Sequence, residues 1–206
     1  MLFLLCTPLP RPTDYASPTS WNDAYASDQW RDIESDWLLA YDGDDGDSLL
    51  QRALMVRLPR GGRLLELGCG SSPLAAQLCC DGCYDVLATD SSPVVIEEQR
   101  KRHQALLGRG LAFEVADARD TKLETGTFAS VVDKGLLDAV LCSEGFDYEA
   151  GRVRAEVARV LAAGGVWVSI SLSPPKMVLP LITHDDWAAL GAEPLGGVYC
   201  YTASKR

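Results

Sequence analysis

From residue 50 onward, apolar positions recur at two alternating periods. Leu50, Ala53, Leu54 and Leu58 repeat at helical spacing and stop at Pro59. Four short apolar runs follow at 63–67, 85–89, 111–115 and 128–132, each compact enough to be a buried strand. Between them the spacing predicts helices over 73–80 and 93–107. A further helix carries Val153, Val157, Val160 and Leu161 on one face and is predicted to stop at Gly164-Gly165. Val166, Val168, Ile170 and Leu172 then alternate with Trp167, Ser169 and Ser171, a strand pattern, and short segments near 187–190 and 198–202 close the chain. The first forty-odd residues are rich in Trp, Asp, Ser and Pro, and their apolar periodicity is poor.

Strand and helix alternating at this pace predict a parallel sheet with helices on both faces. Ligands of such sheets bind outside the carboxyl ends of the strands. The residues that follow each apolar run are therefore the candidates for chemistry.

After the first run comes Glu66-Leu67-Gly68-Cys69-Gly70-Ser71-Ser72-Pro73. Gly68 and Gly70 allow a tight turn and a close ligand approach. Pro73 stands where a dinucleotide fingerprint needs its third glycine, and Glu66 is badly placed for a pyrophosphate. A carboxylate there suits an ammonium or a sulfonium, and the alternative is an ordinary strand-to-helix turn. The second run ends in Asp90-Ser91-Ser92-Pro93. Asp90 can accept two hydrogen bonds from a ribose diol, or it can start the next helix, although Ser92 before Pro93 makes a good cap and leaves it free. Asp117, after the third run, can reach an exocyclic adenine amine, with Ala118 beside it. The fourth run ends in Asp133-Lys134-Gly135-Leu136-Leu137-Asp138-Ala139, a charged pair next to a permissive glycine.

These steps resemble class I S-adenosylmethionine-dependent methyltransferases. Within them the sequence is similar to the methyltransferase-like group that includes lysine methyltransferases of elongation factor 1-alpha and of citrate synthase. The Trp21–Tyr25 step and the Asp36-Trp37 segment match upstream parts of that pattern, and Asp133-Lys134-Gly135 with Leu137-Asp138-Ala139 is its most specific part. The resemblance implies an α/β, Rossmann-like, doubly wound, seven-stranded and mostly parallel sheet with an antiparallel last strand, in a single domain. It divides the chain into an N-terminal lid or extension, 1–46, and a methyltransferase domain, 47–206. It implies S-adenosyl-L-methionine as cofactor, S-adenosyl-L-homocysteine as product, and cofactor contacts at Trp21, Tyr25, Trp37, Gly68, Asp90, Ser91, Asp117, Ala118 and Lys134. Glu66 and Gly70 join that set from the residue reading above.

Methyl transfer is an in-line displacement in which the protein aligns the nucleophile and excludes water. Asp133 is expected to orient an incoming amine or receive its proton. The alternative is that it caps the turn or pairs with Lys134. A protein lysine is the expected acceptor; a small-molecule acceptor and a catalytically silent cofactor-binding module are the other readings.

Composition narrows the partners. The 206 residues carry 19 basic and 29 acidic side chains, a formal net charge of −10, which counts against a phosphate backbone as partner and suits a cationic one. Apolar residues make up 47% and charged residues 23%, enough for one sizeable core. No apolar run approaches the roughly 20 residues that span a bilayer. Residues 1–6 are too short for a signal segment and lack a basic flank, so they are expected to be a packed or frayed tail. Seven irregularly spaced cysteines predict reduced thiols and a cytoplasmic setting.

The weaker signals receive structural readings. Asp42, Asp44, Asp45 and Asp47 start like a calcium loop, but Ala53 occupies its closing position, so a solvated acidic loop is expected. Cys79, Cys80 and Cys83 lack a completing pair and read as small apolar side chains. His103 is expected on a solvated helix face, His184 can reach the site's mouth, and Cys69 is a minor nucleophile candidate.

Overall fold

The computed structural model describes residues 14–15, 17–27, 36–42, 48–81 and 85–206. The tail 1–6, Trp30, Cys83 and the acidic loop 43–47 lie outside these residues, as does the expected boundary between 46 and 47.

Seven strands form one sheet: β1 (Arg63–Leu67), β2 (Asp85–Asp90), β3 (Leu111–Val115), β4 (Phe128–Lys134), β5 (Leu161–Ser171), β6 (Trp187–Leu195) and β7 (Val198–Lys205). Their spatial order is β3-β2-β1-β4-β5-β7-β6, with β1 to β5 parallel and β7 antiparallel to both its neighbours. The strand order reverses between β1 and β4, where Leu67 pairs with Asp133. That is the topological switch point, where open α/β sheets bind ligands.

The helices are α1 (Pro18–Ala26), α2 (Leu49–Arg57), α3 (Leu74–Cys80), α4 (Pro93–Arg102), α5 (Leu136–Val140), α6 (Phe146–Val160) and α7 (Pro175–Ile182). Both faces of the sheet are buried. One face joins Leu64, Val132, Val168 and Ile170 to Leu50 and Leu54 of α2 and Leu74 and Leu78 of α3. The other joins Leu65, Leu67, Val131 and Trp167 to Val153 and Val157 of α6 and Val178 of α7. Each such side chain contributes roughly 1.5–3 kcal/mol by leaving water.

Three expectations change. The 153–161 helix does not run to Gly164-Gly165: α6 ends at Val160, and Leu161 already pairs with Phe128. The two glycines instead accompany the register shift between Phe128 and Ser130, where a side chain at Gly165 would meet the carbonyls of Ala162 and Ala129 at 2.9 and 3.1 Å. The alternating segment is the strand β5, and both its faces are covered, since Trp167, Ser169 and Ser171 are buried as fully as Val168 and Ile170. The helix from Pro93 ends at Arg102, short of 107, and the next residue, His103, stacks on Phe113 with ring centroids 6.0 Å apart rather than standing on a solvated face. Helices α1, α5 and α7 have no counterpart in the periodicity. No described helix is long and apolar enough to cross a membrane.

Candidate functional site

At the carboxyl ends of β1, β2, β3 and β4 lies a cavity of about 300 Å³, within the usual range for ligand sites. Its walls include Trp21, Trp37, Gly68, Gly70, Asp90, Ser91, Asp117, Ala118 and Lys134. Nine of the twelve residues singled out from the sequence therefore meet in one place. Tyr25, Glu66 and Asp133 do not line it.

The glycine turn is built by backbone geometry. Gly68 and Gly70 have φ of +66° and +52°, the left-handed region that penalises a side chain. The Gly70 amide donates to Asp90 Oδ2 at 3.0 Å, and the Ser92 amide donates to Asp90 Oδ1 at 2.9 Å. Ser92, not Asp90, caps α4, its Oγ accepting from the Val95 amide. Burial pushes the Asp90 carboxyl up, against the pull of the Ser92, Gly70 and Ser91 amides. Below the turn, the fully buried Gln99 of α4 donates to the carbonyls of Gly70 and Ser72 at 2.8 and 2.7 Å. Gln99 carried no signal in the sequence, since its role depends on the docking of a helix.

Tyr25 supports this turn from behind. It is buried and stacks on Trp21, and a side chain at Gly70 would come within 2.8 Å of its hydroxyl. Its ring packs with Ala24, Val95 and Trp21, behind the cavity wall. Trp21 and Trp37 meet edge to face, 6.1 Å between centroids, on the cavity wall.

Glu66 also lies behind the cavity wall. It is buried at the end of β1, outside the cavity wall, with Oε2 unpartnered. Burial pushes its carboxyl up to about 8; Lys134 opposes this, while Asp36 and Asp90 add to it.

Asp133 does not stand at the mouth. It is wholly buried, accepting from Trp167 Nε1 at 2.8 Å and Ser169 Oγ at 2.9 Å. Burial pushes it up to about 7, opposed by those two donors and the Leu137 amide and reinforced by Asp138. The carboxylate braces β4, β5 and the start of α5. A strand has period two, so when Lys134 faces the cavity Asp133 faces the α6 side. The acid of this step that does line the cavity is Asp138. It accepts from Ser171 Oγ at 2.8 Å, the Leu172 amide at 3.1 Å and Ser173 Oγ at 2.9 Å, and so fixes the turn after β5.

Asp117 shares its carboxylate with Arg119, which donates from Nε and Nη2 at 2.8 and 2.7 Å and reaches Glu149 of α6 at 3.0 Å. Partial burial raises Asp117, but the Arg119 guanidinium and amide outweigh it and hold the carboxyl below its ordinary value. Lys134 donates to Asp36 Oδ1 at 2.6 Å and to the Trp37 carbonyl at 2.7 Å. Cys69 lines the cavity, and burial pushes its thiol well above the ordinary value, which disfavours the thiolate. His184 sits against Trp187, ring centroids 5.9 Å apart, and does not reach the cavity wall.

A buried carboxylate held by the Gly70 and Ser92 amides, with aromatic faces and largely apolar walls, fits a ligand that carries a diol, a flat ring and a positive sulfur. A methyltransferase domain model matches residues 64–165 of this chain. The chain is 38% identical over 128 residues to the eEF1A lysine and N-terminal methyltransferase of Danio rerio, an overlap of 61% of this chain and 18% of that protein. It is 33% identical over 139 residues to EEF1A lysine methyltransferase 4 of Mus musculus, covering 63% of this chain and 54% of that one. The matches thus span from less than a fifth to about half of these relatives. Among solved structures, a TehB-like S-adenosylmethionine-dependent methyltransferase of Corynebacterium glutamicum shares the fold at TM-score 0.58 and 22% identity, over 75% of this chain and 86% of that one.

Proposed function

Residues 64–165 belong to the methyltransferase domain family, and on that premise we propose that the chain transfers a methyl group from S-adenosylmethionine to the side-chain amine of a lysine in a protein. The observation that carries this reading is the cavity at the switch point, which joins the Asp90-anchored glycine turn to the wall made by Leu136, Ala139 and Leu172. The relatives named as lysine methyltransferases support the acceptor class.

When bound, S-adenosylmethionine supplies a methyl carbon activated by a positive sulfur. The chain's own residues hold and shield it. Asp90 would accept from the ribose hydroxyls, its oxygens kept in place by the Gly70 and Ser92 amides. The faces of Trp21 and Trp37 favour a cation and exclude water. The Asp117–Arg119 pair closes the side toward α6. A lysine amine must arrive deprotonated, which costs about 4–5 kcal/mol at pH 7 from a reference pKa near 10.4. The apolar wall lowers that cost, because desolvation disfavours the ammonium. Asp138 keeps this wall in register by anchoring the Ser171–Ser173 turn.

The test is incubation of the purified chain with methyl-labelled S-adenosylmethionine and a cell extract, followed by acid hydrolysis. Label recovered as methyllysine from the protein fraction supports the reading. Label confined to small molecules overturns the choice of acceptor.

A further inference from the structure

Two segments that carry the sequence resemblance, Asp36-Trp37 and Asp133-Lys134-Gly135, meet in space across 98 residues of chain. The Lys134 side chain is only 3% exposed, and its ammonium is turned onto Asp36 Oδ1 and the Trp37 carbonyl. The same Asp36 oxygen accepts from Ser72 Oγ at 2.9 Å, so the bridge also holds the turn that follows β1. Lys134 and Trp37 both line the cavity. An ammonium on the wall of a site for a sulfonium repels its ligand unless an anion cancels it, and at low dielectric that repulsion is several times its value in water. Asp36 is that anion.

We propose that Lys134 and Asp36 form a charge-neutral latch: Lys134 is a positioning residue that holds Trp37 over the cavity, and Asp36 cancels its charge so that the site accepts a cationic ligand. Lys134 is then not itself a cofactor contact. The proposal rests on the reading of the cavity as an S-adenosylmethionine site. It makes a prediction that simple loss of structure does not, because S-adenosylmethionine and S-adenosylhomocysteine differ by one methyl group and one positive charge.

The experiment is calorimetric titration of both compounds into the full chain, as wild type, Lys134→Met, Asp36→Asn and the double variant. Breaking the latch is expected to weaken S-adenosylhomocysteine by about ten-fold in each single variant, with no further loss in the double variant. The preference for S-adenosylmethionine over S-adenosylhomocysteine is expected to fall by roughly three- to thirty-fold in Asp36→Asn, which leaves an uncompensated cation. It should rise in Lys134→Met and return to the wild-type ratio in the double variant. If Lys134→Met does not fold, the ratio in Asp36→Asn decides alone. Losses that multiply in the double variant, or a ratio that does not move, overturn the latch. A wild type that binds neither compound overturns the reading of the cavity itself.

Discussion

The indole N–H of Trp167 donates to Asp133 Oδ2 at 2.8 Å, across two paired strands and away from the cavity. This bond, with that from Ser169, makes Asp133 an internal brace of the sheet. Its carboxyl is raised to about 7, so the native state holds a proton that the unfolded chain has already lost above about 4. Stability from this group is therefore full below about pH 4 and declines as pH rises to about 7.

Asp133→Asn removes that decline. The amide oxygen can face Trp167 while its NH2 donates to Ser169 Oγ, so the shape is kept. The variant should match wild type near pH 4 and exceed it by about 1–3 kcal/mol at pH 8 in denaturant titrations. Glu66, raised to about 8, leaves a residual slope of the same sign in both proteins. A gap that does not change with pH contradicts this account of Asp133.

Glu156 works in the opposite direction. Burial alone would raise it, but Arg159, at 2.7 and 2.8 Å, and the Thr121 hydroxyl and amide hold it at about 2. A depressed carboxyl stabilises above its unfolded value near 4.5, and the contribution is lost as pH falls toward 2. Glu156→Gln should cost about 1–3 kcal/mol at pH 7, with the difference closing near pH 2–3. Equal losses at both pH values would show that shape, not charge, holds the 121 turn to α6.

Gly70→Ala tests how the turn is supported. Alanine at φ +52° costs about 1–2 kcal/mol, and its Cβ would stand 2.8 Å from the Tyr25 hydroxyl. Adding Tyr25→Phe removes the atom that clashes. Thermal midpoints of the two single variants and the double should show a favourable coupling of at least 0.5 kcal/mol. Strict additivity would mean that Tyr25 does not press on the turn.

The strands at 63–67 and 111–115 were legible to the residue, because each short apolar-rich run is bounded by turn residues. β2 and β4 run on into Asp90 and Lys134, acidic and basic tips that hydropathy alone would cut off. Helix α5 is five residues long and α7 contains Pro180, so neither shows a full amphipathic period; α1 buries only Ala24 and Tyr25. In the site, the glycines and Asp90 follow from strand-end logic. The facing of Asp133 against Lys134 does not, since both sides of β4 are buried and either parity satisfies the pattern. Arg119 meets Glu149, Gln99 meets Gly70 and Asp36 meets Lys134 across 30, 29 and 98 residues of chain, through packing that no local spacing reveals.

The central claim is that the cavity holds S-adenosylmethionine through Asp90. Calorimetry on wild type and Asp90→Ala, with S-adenosylhomocysteine as ligand and a nicotinamide dinucleotide as control, tests it most directly. Charge-assisted hydrogen bonds contribute roughly 1.5–3 kcal/mol each, so the variant should bind at least ten-fold more weakly while its fold survives, and the dinucleotide should not bind wild type. An unchanged dissociation constant in Asp90→Ala, or tighter binding of the dinucleotide, would contradict it.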